Sequence, residues 1–496
     1  MKRLVIILVI SLLNSSFLFS QSYEEYLKQQ STNFNNYKKN AIEDFESYKT
    51  KINAEFADFM RKPWQKEEAQ APIEKPKEEK PIVTPIVYRD TLEYAKPLDK
   101  EIKVKNITPT VKFVAPKPVV PFKYTPKPQE KAIDIEFYGI ECQIRFDINK
   151  CKKMSGASEN DAADYWETLS SGDYDNIIAD CAKIREDYNL CDWALYKLII
   201  EISEKIYGQS NESVMLSAYL MNNMGFMIRL GRTTDNKIHL LVNTHEDMCN
   251  QIYYNISGRK YYLLSNDEVN SMFIFNREFP QESPMRLTMT TINKFAYKAT
   301  KQRVLKSKRY PQTELTSTTN INLLLFYSEY PSAYMNGNSK TLWATYANTP
   351  LSNEAKEKLY PTLKASIAGK SQQEAANILL NFVQTAFEYK TDNQAWGQER
   401  VFFPDETLYY PYCDCEDRSI LFSRLIKDLL GLKVVLLYYP GHLATAVEFT
   451  EEDIKGDYIQ IKGSRYLVCD PTYINANIGK TMPGMDNSTA DVIMLN

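Results

Sequence analysis

Proline sets the plan of this chain. After Pro63 and Trp64 it recurs at Pro72, Pro76, Pro81, Pro85, Pro97, Pro109, Pro116, Pro118, Pro121, Pro126 and Pro128. Each proline fixes φ and removes a backbone donor, so residues 63–132 resist packing and favour extended polyproline II. Fully extended, the tract would reach on the order of 200 Å at about 3.1 Å per residue. A spacer across an envelope and a plain disordered linker are the two readings it allows.

Upstream of that tract, Lys2 and Arg3 precede an apolar run from Leu4 to Leu13 and small or polar residues up to Ser20 and Gln21. This is the layout of a secretory signal over residues 1–20, too short in its apolar part to span a membrane; an uncleaved anchor is the alternative. The chain is therefore expected to be exported, periplasmic or extracellular. Over residues 21–62 two aromatic rows repeat every 11 residues, Tyr23, Phe34, Phe45, Phe56 and Tyr26, Tyr37, Tyr48, Phe59. An eleven-residue period keeps one face of a helix without drift. The helix is either a stalk that self-associates or one that lies against its own domain.

Downstream the composition turns globular. A chain of 496 residues, 44% hydrophobic and 12% aromatic, holds enough apolar mass for two or three cores. A net charge of -3 gives no basic footprint, which excludes nucleic acid as the expected partner. Helical periodicity runs through Leu195, Leu198, Ile199, Ile202 and Ile206, and a helix from about Asn211 closes on Gly225. Strand-like runs follow at Phe226 to Leu230, Ile238 to Val242 and, after a turn at Gly258, Tyr261 to Leu264. The same order returns about 206 residues later, with Ser213, Ser217, Gly225 and Leu230 falling on Ser419, Ser423, Gly431 and Leu436. We read an internal duplication of an α+β unit. Residues 133–270 form the first copy, 271–340 a β-rich connecting region and 341–496 the second copy.

The second copy carries the chemistry. Tyr412-Cys413-Asp414-Cys415-Glu416-Asp417-Arg418 runs into a helix whose apolar face is Leu421, Phe422, Leu425, Ile426 and Leu429. Cys415 thus sits in or just before the first turn, where the helix dipole and unpaired N–H groups favour a thiolate and can hold an oxyanion. A strand from Val434 to Tyr439 leads through Pro440-Gly441 to His442, which opens a second strand; a third, Arg465 to Cys469, delivers Asp470 at its end. Antiparallel neighbours of this kind can put an acid beside an imidazole and the imidazole before a thiol, the contacts that nucleophilic catalysis needs. A disulfide between Cys413 and Cys415 is the competing use of that pair. His239, His245 and Cys249 lack a compact metal-ligand spacing and read as structural residues. No loop reads as a calcium site, and no cofactor is expected.

These residues resemble the transglutaminase-like superfamily of papain-related cysteine enzymes. The family's Gly-x-Cys-x-Asp block is similar to Cys413-Asp414-Cys415-Glu416-Asp417, its strand-opening histidine to His442, and its Asp-Pro-Thr to Asp470-Pro471-Thr472. Cys413 stands where a glycine is usual, and Leu443-Ala444-Thr445 replaces the common Ala-Trp. The resemblance covers about the last 120 residues and implies a transglutaminase-like, papain-like fold. It implies Cys415 as nucleophile, His442 as base and Asp470 as orienter, acting through a thioester on a protein or peptide amide, cell-wall peptide included. The first copy has Gln209 and Ser265 near the places of Cys415 and Asp470, so it is expected to be catalytically degenerate. A non-catalytic peptide-binding or envelope-tethering protein of the same fold is the alternative.

Overall fold

The computed structural model describes Lys28, Glu43, Asp44 and residues 46–75, 100–102, 106–108, 131–265 and 267–495. The signal-like residues 1–20, most of the first aromatic repeats and the greater part of the proline-rich tract lie outside the described residues. The described chain mixes helices with mainly antiparallel sheets, in keeping with the α+β expectation.

Two sheets dominate, and their five main strands share one topology. In the first, Ser271–Phe275, Ile228–Arg232, Ile238–Asn243, Arg259–Leu263 and Tyr253–Ile256 lie side by side in that order; in the second, Asp491–Met494, Lys433–Tyr439, His442–Glu448, Ser464–Cys469 and Asp457–Ile461 do the same. In sequence order both read fifth, first, second, fourth, third. The details agree as well. Asn211–Asn223 packs on the first two strands of its sheet as Cys415–Leu430 does on its own. Ser217 Oγ donates to the Ser213 carbonyl at 2.8 Å, and Ser423 Oγ to that of Ser419 at 2.7 Å. Both sheets turn between third and fourth strands on two residues of positive φ, Ser257-Gly258 at 50° and 77° and Lys462-Gly463 at 49° and 87°. That is the type I′ geometry that matches strand twist, and glycine adopts it without strain.

Each sheet is rolled and closed by a strap. Glu68 pairs with Ser271 on one edge of the first sheet while Gln70 bridges to Tyr253 on the other. Two extended residues reach about 7 Å, whereas the four steps between those edges would need about 19 Å in a flat sheet. In the second sheet Lys100–Ile102 pairs parallel with Asp457–Ile461 and Asn106–Thr108 parallel with Asp491–Met494, the opposite edge. The chain from Ile102 to Asn106 spans at most about 14 Å, against about 29 Å for six flat interstrand steps. The interiors are small and apolar, with Met227, Leu241, Tyr254 and Ile274 in the first and Val435, Leu437, Ala446 and Val468 in the second. Outside, each sheet carries a pair of helices, Asp192–Tyr207 with Asn211–Asn223 and Gln372–Ala386 with Cys415–Leu430.

Three expectations change at the boundaries. Within the proline-rich tract, Gln65–Glu68, Lys100–Ile102 and Asn106–Thr108 are paired strands rather than spacer. Ser271–Phe275 belongs to the first sheet and not to a connecting region, because its partners lie far away in sequence. The remaining stretch holds the hairpin Arg303–Lys306 with Glu314–Ser317 and the helix Ile321–Ser328, so it is not wholly β. Among the described residues no helix is long and apolar enough to cross a membrane.

The helix at residues 46–60 lies against its own domain. Phe56 is buried with its ring 4.9 Å from Trp166, 5.0 Å from Phe275 and 5.1 Å from Phe279. Trp166 Nε1 donates to Asn53 Oδ1 at 2.9 Å, and Lys49 pairs with the buried Asp175 at 2.5 Å. Tyr48, in the other aromatic row, is exposed. Truncating a docked phenylalanine leaves a cavity, so Phe56→Ala should lower stability in urea unfolding by about 3 kcal/mol. A loss below about 0.5 kcal/mol, the size of a surface change, would mean that the helix does not pack there.

Candidate active site

The Cys415–Leu430 helix starts where it does for local reasons. Asp414 is its extended N-cap, Asp417 accepts from the Asp414 amide at 3.3 Å, and Glu416 and Asp417 place their carboxyl groups in the first turn. Gly431, in the left-handed region at φ 67°, ends it. Cys415 is the first helical residue and is buried. Its Sγ donates to Glu416 Oε2 at 3.2 Å. Ser419, one turn along, donates to the Leu443 carbonyl at 2.9 Å, which pins the start of this helix to the strand that His442 opens.

His442 and Asp470 are brought together. Thr445 pairs with Cys469, so one further rung sets Ala444 opposite Asp470, and His442 is its diagonal neighbour on the same face. His442 Nε2 lies 2.9 Å from Asp470 Oδ2 with both side chains buried. Asp470 Oδ1 accepts from the amides of Thr472 at 2.8 Å and Tyr473 at 3.2 Å, so both oxygens are engaged. The imidazole stacks on Tyr439 at 6.0 Å and 19°. Its Nδ1 is buried and has no hydrogen-bond partner among the described residues. With Nε2 donating to the carboxylate, Nδ1 is the basic nitrogen.

Around the Cys415–Leu430 helix the site is rich in buried acid. Phe402 N donates to Asp417 Oδ1 at 2.9 Å, tying the preceding loop to the first turn. Burial, with Asp392, Glu416 and Cys413 alongside, holds the Asp417 carboxyl well above the usual range. Among the described residues, Asp392, Asp414 and Asp417 form one group, and Asp392, Glu399 and Glu416 another, whose oxygens lie within 4.8 Å of one another, close enough to share a cation. Asp414, Glu416 and Asp417 belong to the Cys415 block while Asp392 and Glu399 lie upstream of it, and no ligand motif in the sequence links the two. Arg418, also buried, donates to the carbonyls of Gln384 at 3.2 Å and Phe387 at 2.9 Å and to Cys413 Sγ at 3.5 Å. Burial pushes the Cys413 thiol up against the pull of Arg418 and Arg303. None of the eight cysteines is in a disulfide, Cys413 and Cys415 included. Gln394 caps Thr391, Trp396 packs edge-on against Phe402 and Tyr410, and Tyr409 faces solvent.

The first unit has the same frame with other side chains. Leu230 pairs with Leu240 as Leu436 does with Thr445, and three rungs outward from each lie Lys237 and His442. A constant offset of 206 would have pointed to Asn236, because the first hairpin has a longer loop than Pro440-Gly441. Lys237 pairs with Asp267 at 2.7 Å, and Ser265 donates to the other oxygen of Asp267 at 2.9 Å. His239 is buried, 3.6 Å from Asp267, and burial lowers its pKa. His245 stands 3.8 Å from Glu246, and burial pushes Cys249 up to about 11. No family model matches the chain, and no curated protein matches it.

The helix Pro404–Tyr409, packed on the nucleophile helix, carries two buried acids. Burial raises Glu406 to about 7, against the pull of Arg400, and Asp405 to about 6. A carboxyl raised on folding favours the protonated native state, so stability is full below the unfolded value and is lost as pH climbs through the folded one. Urea midpoints should therefore fall between about pH 4.5 and 7. Glu406→Gln should flatten the part of that fall above about pH 6, leaving the part due to Asp405; an unchanged curve would remove Glu406 as its source.

Proposed function

We propose that this chain is a cysteine-dependent acyl transferase or amide hydrolase acting on a protein or peptide amide. The observation that carries the reading is the buried His442–Asp470 pair, 2.9 Å apart, with Nδ1 unpartnered at the start of the strand on which the Cys415 helix is pinned. The assignment of nucleophile, base and orienter follows the resemblance to transglutaminase-like enzymes. In the first step His442 Nδ1 takes the Cys415 proton, the sulfur bonds to the substrate carbonyl carbon, and the oxyanion forms near the amides at the helix start. As the C–N bond breaks, the amine leaves with the proton from the imidazolium, and a thioester remains. Water as acceptor gives a free acid; an amine gives a new amide. Asp470 stays ionised and fixes the imidazole tautomer. The signal-like N-terminus supports an exported, periplasmic or extracellular site of action, where cell-wall peptide is available as substrate.

A limiting thiol electrophile followed by peptide mass spectrometry tests this reading, since all eight cysteines compete as free thiols. Cys415 should be modified first, and His442→Ala should slow its modification by about 100-fold, the lower range for loss of a general base. Equal rates at Cys415 and Cys249, or no effect of His442→Ala, would leave the fold with a binding role only.

A further inference from the structure

The Asp470 carboxylate is useful only if the turn that bears it is held still; Arg309 donates to the Asn475 carbonyl at 2.6 Å and to Asn477 Oδ1 at 2.7 Å, and one further side chain outside the triad contacts Asp470 itself and spans the turn. Gln384, on the Gln372–Ala386 helix, is 1% exposed. Its Nε2 donates to the carbonyls of Asp470 at 3.0 Å, Tyr473 at 2.8 Å and Ala476 at 3.1 Å, and its Oε1 accepts from the Asn475 amide at 3.0 Å. A single amide thus spans the whole turn from Asp470 to Ala476, in which Asn475 has a positive φ of 65°. One turn back along the same helix, Asn381 Nδ2 donates to Asn475 Oδ1 at 3.1 Å. The Gln384 carbonyl in turn accepts from Arg418, three residues after Cys415. The nucleophile helix and the acid's turn are therefore tied to one residue from opposite sides.

We propose that Gln384 is a positioning residue that sets the His442 tautomer by holding the Asp470 turn. With the turn fixed, Asp470 Oδ2 meets Nε2–H and Nδ1 stays free to take the thiol proton. Without it, the carbonyls of Asp470, Tyr473 and Ala476 lose a common buried donor, the turn relaxes, and the proton on the imidazole is no longer confined to Nε2. In the first unit, by contrast, Ser265 at the place of Asp470 closes on Asp267 within its own loop. The consequence for catalysis rests on the function proposed above; the structural claim does not.

Long-range ¹H–¹⁵N NMR of the full chain separates the two, since only three histidines are present. In the wild type His442 should show one tautomer with the proton on Nε2. Gln384→Met keeps the side chain's length and removes its polar contacts. It should give a mixture of tautomers with unchanged circular dichroism and slow Cys415 labelling on the order of 100-fold, as a misplaced catalytic group does. Gln384→Glu, which keeps the acceptor for Asn475 and removes the donor, should act in the same direction and serves if the Met variant does not fold. A single Nε2–H tautomer retained in either folded variant overturns the proposal, even if labelling slows. A mixture of tautomers with no slowing, or with a wild-type Cys415 that is inert, supports the positioning role and counts against the catalytic one.

Discussion

Sheet closure is the constraint on which this structure depends. An open five-stranded antiparallel sheet exposes a row of backbone donors and acceptors at each edge, and such edges invite pairing with other chains. Here both sheets are rolled and their edges engaged by short segments that precede the globular units in sequence. Proline placement agrees with this. No proline falls between Pro63 and Pro72 or between Pro97 and Pro109, and these two windows supply the straps. A proline inside a paired strand would remove a ladder donor, so the gaps in the proline series mark where the tract can pair.

Closure also fixes the chemistry. His442 and Asp470 lie at the ends of adjacent strands of the second sheet, in the rows that Ala444, Ala446 and Val468 continue. Side chains alternate along a strand, so slipping the His442–Glu448 and Ser464–Cys469 pairing by one residue would turn the acid and the imidazole to opposite faces. The register is fixed by the small interior on one face and by Leu443, Val447 and Leu467 packing under the helices on the other. The sheet that gives the unit its core therefore sets the distance between Asp470 and His442, and the helix pair outside it sets where Cys415 stands.

Much of this was legible in the residues. Periodicity located the Asn211 and Cys415 helices and the strands opened by Ile238 and His442, because each is long and its partners are near in sequence. The repeated helix, glycine and hairpin signals revealed the two copies, which share one strand order. The straps were not read, since three or four residues carry no period and their partners lie hundreds of positions away. Ser271–Phe275 was misassigned because the strands it joins, Ile228–Arg232 and Gln65–Glu68, both lie well upstream of it. Lys237 escaped because a longer hairpin loop breaks a fixed offset, and Gln384 because a helical glutamine that caps a distant turn looks like any other polar residue until the turn is in place.

The two units differ in what their shared frame is asked to hold. At the strand ends of the first, Lys237 and Ser265 satisfy each other's polar atoms through Asp267, which is partly exposed, and the loop needs no outside support. At the same places in the second stand a buried imidazole and a buried carboxylate, and removing the carboxylate from water is costly unless its oxygens find donors. Thr472 and Tyr473 supply donors to Asp470, and Gln384 supplies the donor that their turn's carbonyls need. The extra polar contacts around the second site are thus the physical consequence of burying a carboxylate beside an imidazole, and they are concentrated where a histidine must keep one nitrogen free.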